Sequence, residues 1–349
     1  MNSIPPSAAI NESVKLAKKY GHIGTVKLTN AVLRNFLRKK NEINNFIQYY
    51  PENKKLSIEF SIPLWIINYW SEIYKHDELR DLCHVMTLPA PIYLRINKLQ
   101  TTPIEFKNEL KKLQINYSET IIEEVIELKE KIPVNNIFGY ESGLWYIQDL
   151  GAALVCKILN PEIDSFIIDF CSFPGGKTSY ISELMNNTGN ILAVDINKNR
   201  EIRFLENIQR LGIKNIKTVI QSATMKLSDE FLADKILVDP PCSGLGVIRR
   251  KPEIKYKRNI DDIKRLSELQ FNILTNASNY LKIDGELVYS TCTLSFLENE
   301  YVIEKFLSEN KNFILQPFNL FNQENLFINL YPHKHFTDGF FIAKLKRIS

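Results

Sequence analysis

Apolar residues recur at helical spacing near the start of the chain and gather into short strand-like runs after its midpoint. Ile10, Val14 and Ala17, then Val32, Leu33, Phe36 and Leu37, predict two amphipathic helices within residues 10–20 and 25–38. Two such helices do not enclose a core. They either dock on the rest of the chain or form the end of a larger helical domain. A helical region over 56–86 follows, then a strand at 92–96 and a helix near 103–113 entered at Thr102-Pro103, where proline at the first helical position gives up no needed donor. These elements predict a small mixed module at about 90–145.

From Asp164 the pattern becomes strand, helix, strand, helix, with strands at 166–170, 190–195, 216–220, 234–239 and 285–290. Near-continuous apolar strands alternating with helices imply a parallel sheet covered on both faces, hence an α/β, Rossmann-like domain. The predicted organisation is a partial helical region over 1–50, a helical linker and small α/β module over 51–147, and the Rossmann-like domain over 148–349. No repeat or low-complexity tract argues for a solenoid.

With 349 residues, 44% hydrophobic, the chain can bury a large core. Its formal charge of +4 is too small to establish nucleic-acid binding, so partners must be read from local clusters. Cys83, Cys156, Cys171, Cys242 and Cys292 are odd in number, and none falls in a Cys-x-x-Cys pair or at zinc spacing; a reduced, metal-free, cytoplasmic monomer is expected. Residues 1–7 lack the basic start and apolar run of a leader, and 62–70 is too short and mixed to span a bilayer, so no membrane is expected as a partner.

The first strand of the α/β region breaks into Asp169-Phe-Cys171-Ser172-Phe173-Pro174-Gly175-Gly176-Lys177-Thr and then a helix. Ligands of open parallel sheets bind beyond the carboxyl ends of the strands. Gly175 and Gly176 would let backbone approach a ligand, the helix start would offer amides to a carboxylate, and Asp195, ending the next strand, could take both hydroxyls of a ribose. Together they describe an adenosyl cofactor site. A phosphate loop would need glycine where Cys171 stands, and the dinucleotide fingerprint is missing.

Cys242, in Asp239-Pro-Pro-Cys242, and Cys292, in Ser-Thr-Cys292-Thr, each follow an apolar run and should face the cofactor crevice; Cys83 and Cys156 read as core. Two prolines fix the chain direction ahead of Cys242. Cysteine suits attack on carbon 6 of cytosine, which makes carbon 5 nucleophilic towards the methyl group of S-adenosyl-L-methionine. Such chemistry also needs a group near ring nitrogen 3, for which Asp239 is the candidate.

The segments Asp239-Pro-Pro-Cys-Ser-Gly-Leu-Gly-Val-Ile-Arg-Arg-Lys-Pro-Glu-Ile-Lys, Tyr289-Ser-Thr-Cys-Thr, Glu298-Asn-Glu300, Leu94-Arg-Ile-Asn97, Gln148-Asp149 and Asp338-Gly-Phe-Phe-Ile-Ala-Lys344 resemble the RNA 5-methylcytosine methyltransferases of the Sun/NOP family. Similarity runs from about residue 8 to the end. The resemblance implies that Cys292 is the nucleophile and that Cys242 assists product release. Glu12-Ser-Val-Lys-Leu-Ala-Lys-Lys-Tyr-Gly and Asn30-Ala-Val-Leu-Arg are similar to the bacterial RsmB-type enzymes of 16S ribosomal RNA, which carry a NusB-like RNA-binding domain; here only its last helices are expected. Two departures stand out. Ser172-Phe173 replaces the family's Ala-Ala, and Ser222 stands where an aspartate usually binds the adenine amino group.

Arg249-Arg250-Lys251 and Lys255-Tyr-Lys257-Arg258 follow the Cys242 loop and are expected to contact RNA phosphates. The target cytosine must leave its stack to reach Cys292. The resulting expectation is an S-adenosylmethionine-dependent RNA cytosine-5 methyltransferase, most simply of ribosomal RNA. Transfer RNA is the alternative substrate, and a truncated RNA-binding assembly protein without turnover is the alternative class.

Overall fold

The computed structural model describes residues 4–130, 132–133, 137–228 and 230–349, the side chains of 41 and 43–45 excepted. The N-terminal reading over 1–7 therefore lies partly outside the described residues. Contacts divide the chain into two compact units, Met1–Asn68 and Tyr69–Ser349.

In the first unit, α1 (Pro6–Tyr20) and α2 (Ile23–Ile47) form a hairpin turned at Gly21 and His22, whose ring Nδ1 accepts from the Gly24 amide. Ile10 is buried, whereas Leu16, Val32 and Phe36 stay exposed, so the two helices enclose no core of their own. The helical region expected over 56–86 is three helices, α3 (Glu52–Glu59), α4 (Leu64–Ser71) and α5 (His76–Val85). The first break falls where Ser61 takes a left-handed φ of 51° and Pro63 supplies no amide donor.

The second unit begins within α4 and includes α5, and then forms a four-stranded antiparallel sheet of β1 (Ile92–Ile96), β2 (Tyr117–Glu119), β3 (Val125–Leu128) and β4 (Trp145–Ile147), in the order β2-β3-β1-β4. Helix α6 (Pro103–Lys112) lies on it and buries Phe106 and Leu110 against Leu94, Ile96 and Trp145. The reciprocal Thr102 and Glu105 cap fixes where α6 begins.

Helix α7 (Leu150–Leu159) leads into the large sheet. Its parallel strands are β5 (Phe166–Phe170), β6 (Asn190–Asp195), β7 (Ile216–Ile220), β8 (Ala233–Val238) and β9 (Leu281–Thr291). Helices α8 (Gly176–Leu184), α9 (Lys198–Arg210), α10 (Ile254–Lys257) and α11 (Ile260–Ser278) connect them. Strand alternation explains the two-sided burial: Ile168, Ile236, Val238 and Leu287 join one core with α11, while Ile167, Leu237 and Val288 join another with α7 and α8.

The sheet is Rossmann-like but not wholly parallel. After α12 (Glu300–Glu309) and the short strands β10 (Phe313–Leu315), β11 (Phe318–Leu320), β12 (Gln323–Asn325) and β13 (Phe327–Leu330), the one-turn helix α13 (Pro332–His335) precedes β14 (Phe340–Arg347). Strand β14 runs antiparallel beside β9, giving the order β10-β14-β9-β8-β5-β6-β7, and covers what would be an open edge. From β5 the chain proceeds to β6 and β7 on one side and then crosses to β8 and β9 on the other. The carboxyl ends of β5 and β8 therefore flank the switch point where a ligand crevice forms.

Candidate active site

The loop after β5 is shaped by its own backbone. Cys171 takes a φ of 64° and, with Ser172, donates its amide to the Val194 carbonyl at the end of β6. The Phe173 ring turns into the core and packs on Phe204, centroids 4.6 Å apart, so this departure from Ala-Ala contributes backbone rather than side chain to the crevice. The Phe173–Pro174 peptide is cis. Gly175 has a φ of 96°, and a Cβ there would lie 2.6 Å from the Phe204 ring; one on Gly176 would lie 3.1 Å from Tyr146. Glycine is thus required at 175 by its left-handed backbone and the Phe204 ring, whereas a Cβ at 176 would need Tyr146 to give by only a few tenths of an ångström.

Asp195 accepts from the Phe173 amide at 3.0 Å and from the Asn197 amide at 2.8 Å, which fixes its carboxylate at the end of β6. Asp169 lies beneath, receiving the Thr178 hydroxyl at 2.6 Å on one oxygen. Its other oxygen, Oδ1, is buried and has no hydrogen-bond partner among the described residues. Burial pushes this carboxyl up to about 7; the Thr178 bond opposes the shift and the Asp239 charge adds to it. Ser222, after β7, bonds within its own turn to Thr224.

Lys177 pairs with Asp239 at 2.7 Å, so its charge is matched by a carboxylate rather than offered to a phosphate. Burial alone would lower the Lys177 amine, but Asp239 outweighs it and holds the amine above its ordinary value. Ser290 donates to the other Asp239 oxygen at 3.0 Å, fixing that carboxylate between β8 and β9. The sulfurs of Cys242 and Cys292, on the loops that follow these strands, stand 3.3 Å apart. The Cys242 thiol is raised well above its usual value, first by the Cys292 contact and then by burial. Cys171 is also raised, by burial, and Cys156 is a core thiol on α7. Among the described residues no group of His, Cys, Asp or Glu is placed to hold a metal ion.

The basic run divides. Arg249 is no surface residue: its guanidinium is buried, donating to Asp338 at 3.0 Å and to the Thr337 carbonyl. Arg250 donates to Asp338, to Asp149 at 3.0 Å and to the Pro91 carbonyl at 2.9 Å. The expected phosphate contact of Arg249 is corrected accordingly, because its guanidinium is enclosed as the counter-charge of a buried carboxylate, whereas Arg250 keeps 28% of its side chain accessible. Lys251 and Lys257 are exposed, Lys255 and Arg258 half-buried, on and around α10.

Several residues at the site carried no role in the sequence reading. Arg95, fully buried, donates to the Gly176 carbonyl at 2.7 Å, to Ser179 at 2.9 Å and to Glu183 at 2.7 Å, bracing the start of α8 from β1. Glu298 accepts from the Ser243 amide and hydroxyl, and Ser290 reaches Asp239. Arg95, Ser243 and Ser290 all lie in segments that carry the family resemblance, but nothing in those segments shows which partners their side chains meet.

Comparisons with known proteins agree across the chain. The family described as 16S rRNA methyltransferase RsmB/F matches residues 156–346, an RsmF/B-like ferredoxin-like domain matches 62–135, and the NusB family matches 1–38. The chain is 33% identical over 364 residues to a probable ribosomal RNA small subunit methyltransferase B of Bacillus subtilis, covering 99% of this chain and 79% of that one. It is 41% identical over 233 residues to a tRNA (cytosine(72)-C(5))-methyltransferase of Pyrococcus horikoshii, covering 64% and 58%. The crystal structure of NSun6 from Pyrococcus horikoshii with SFG superposes with a TM-score of 0.74 at 26% identity, covering 82% of this chain and 98% of that one.

Proposed function

Because the chain belongs to the RsmB/F family and is an RNA cytosine-5 methyltransferase, we propose that it methylates a cytosine of 16S ribosomal RNA through a covalent adduct on Cys292. The 3.3 Å separation of two thiols at the switch-point crevice carries this reading. S-adenosyl-L-methionine, when bound, supplies an electrophilic methyl group, and SFG in the related structure is an analogue of it. The residues present fit that cofactor. The orphaned Asp169 Oδ1 suits its amine, the first amides of α8 its carboxylate, Asp195 its ribose and Ser222 its adenine edge. Cys171, Ser172, Phe173, Pro174, Gly175, Gly176 and Lys177 form the supporting wall.

Cys292 attacks carbon 6 of the flipped cytosine, forming the carbon–sulfur bond and moving the electron pair of the 5,6 double bond towards carbon 5 and ring nitrogen 3. Asp239, held by Lys177 and Ser290, meets nitrogen 3, and the Lys177–Asp239 pair lends it the proton that addition requires and recovers that proton on elimination. Cys242, 3.3 Å from the Cys292 sulfur, assists the later loss of the carbon-5 proton, which it takes as a thiolate, and the expulsion of the Cys292 thiolate. Lys251, Lys255, Lys257 and Arg258 contact phosphates, and the helices over 1–50 supply further RNA docking ahead of the 51–147 module and the 148–349 domain.

RNA purified from cells lacking the enzyme should accept labelled methyl groups from the parent protein and none with Cys292→Ala. Cys242→Ala should accumulate a slow-migrating protein–RNA band on a denaturing gel that disappears when Cys292→Ala is added. A band that appears with Cys292→Ala alone and is lost in the double variant means the thiols are assigned the wrong way round. The 41% identity to a transfer RNA enzyme favours transfer RNA as the second reading; label appearing in that fraction instead of ribosomal RNA would establish it.

A further inference from the structure

The two thiol loops are joined immediately beyond each sulfur. Ser243 follows Cys242 and Thr293 follows Cys292, and their hydroxyl oxygens lie 2.7 Å apart. Both residues are fully buried, as is Glu298. One Glu298 oxygen accepts the Ser243 amide at 2.7 Å and the Gln270 amide at 3.0 Å; the other accepts the Ser243 hydroxyl at 2.5 Å. With its hydroxyl proton committed to Glu298, Ser243 is left to accept from Thr293, so the carboxylate sets the direction of the whole chain of bonds.

The segment that carries Glu298 is itself tied to the second loop. Asn299 accepts the Thr291 hydroxyl at 2.6 Å and donates to the Thr293 carbonyl at 3.0 Å, while the Tyr289 hydroxyl donates to the Glu298 carbonyl at 2.7 Å. A buried carboxylate with every partner on the two cysteine loops or their supports is costly to retain, and a packed apolar side chain would fill the space more cheaply. Its placement makes sense if the separation of the sulfurs matters.

We propose that Glu298 is a positioning residue that, through Ser243 and Thr293, fixes the distance between the Cys242 and Cys292 sulfurs so that both act on one base without either loop moving. The proposal rests on the two-thiol reading of the function, but its primary test does not require turnover. The purified protein is treated with diamide, whose nitrogen–nitrogen double bond takes two electrons and two protons from a pair of thiols to give a hydrazine and a disulfide. Peptide mapping by mass spectrometry then gives the rate of the Cys242–Cys292 cross-link. Glu298→Ala and Thr293→Val should each slow it about tenfold, the scale expected for loss of a hydrogen bond that holds the pair.

Thr293→Val keeps the volume and removes only the hydroxyl, and its thermal melt should stay within a few degrees of the parent, about the shift expected for one lost hydrogen bond. If Glu298→Ala does not fold, Ser243→Ala takes its place. Parent-like cross-linking in the folded variants overturns the proposal; so does slowing in Glu298→Ala with Thr293→Val at the parent rate, because the coupling must pass through Thr293. In methyl transfer, Thr293→Val should lower kcat about tenfold with the cofactor KM within about twofold. A KM effect without a kcat effect counts against positioning. A parent that cross-links rapidly yet transfers no methyl group refutes the methyltransfer reading, and the cross-link rates still decide the role of Glu298.

Discussion

At the residue scale, the site is a set of side chains whose partners are already chosen before any ligand arrives. Asp195 is fixed by two backbone amides, and its proposed task is to take the ribose hydroxyls. Asp195→Ala should weaken cofactor binding by about 1.5 to 3 kcal/mol, the usual range for a hydrogen bond to a charged group; unchanged affinity in calorimetry would remove Asp195 from the site. Asp169 makes a different prediction because its carboxyl is raised to about 7 by burial. An unfolded aspartate titrates near pH 3.9, so between roughly pH 4 and 7 the folded chain holds a proton that the unfolded chain has lost, and stability falls as pH rises through that window. Asp169→Asn cannot titrate. In urea melts without cofactor the parent should lose stability relative to this variant between about pH 4 and 7; parallel curves would show that the carboxyl is not perturbed.

At the element scale, function depends on how strands end and helices begin. Gly175 must take a left-handed conformation against the Phe204 ring to start α8. Gly175→Ala should cost about 1 to 3 kcal/mol of stability from the backbone conformation alone, read as a lower urea midpoint, and should weaken the cofactor as well. A variant of parent stability would mean the loop has an alternative path. The elements themselves were legible: the strand at 92–96, the Thr102-Pro103 helix start and the five parallel strands follow from local periodicity and capping. The break at Ser61 and the antiparallel return of β14 were not. The first is marked in the sequence only by Pro63 and depends on a backbone conformation; the other depends on pairing between residues distant in sequence and leaves no local pattern.

At the scale of the whole molecule, charge is partitioned between structure and surface. Asp149, Arg250, Asp338 and Arg249 form a largely buried network that ties the start of α7, the segment beyond Cys242 and the turn before β14. Burial, reinforced by Asp338, pushes the Asp149 carboxyl up to about 6, which marks how tightly the network is enclosed. Lys251 and Lys257 remain exposed. Replacing either with alanine should reduce the dependence of log RNA affinity on log salt by roughly 0.7 to 1, as expected for one lost phosphate contact. Arg249→Ala should instead lower the melting temperature and leave the salt slope unchanged. A reversed pattern would return Arg249 to the RNA surface.

The sequence by itself determined the Rossmann-like class, the glycine turn after its first strand and the two cysteines that follow strands, because each is written in contiguous residues: apolar runs, a glycine pair, a cysteine at a strand end. Only the tertiary structure decided that the sulfurs stand 3.3 Å apart, that Lys177 answers Asp239, and that Glu298 bridges the loops through Ser243. It also moved Arg249 from surface to interior. A charged residue reads the same in a chain whether it meets water or a carboxylate; which one it meets is set by the packing of segments far apart in sequence, where burial makes an unpaired charge too costly to keep.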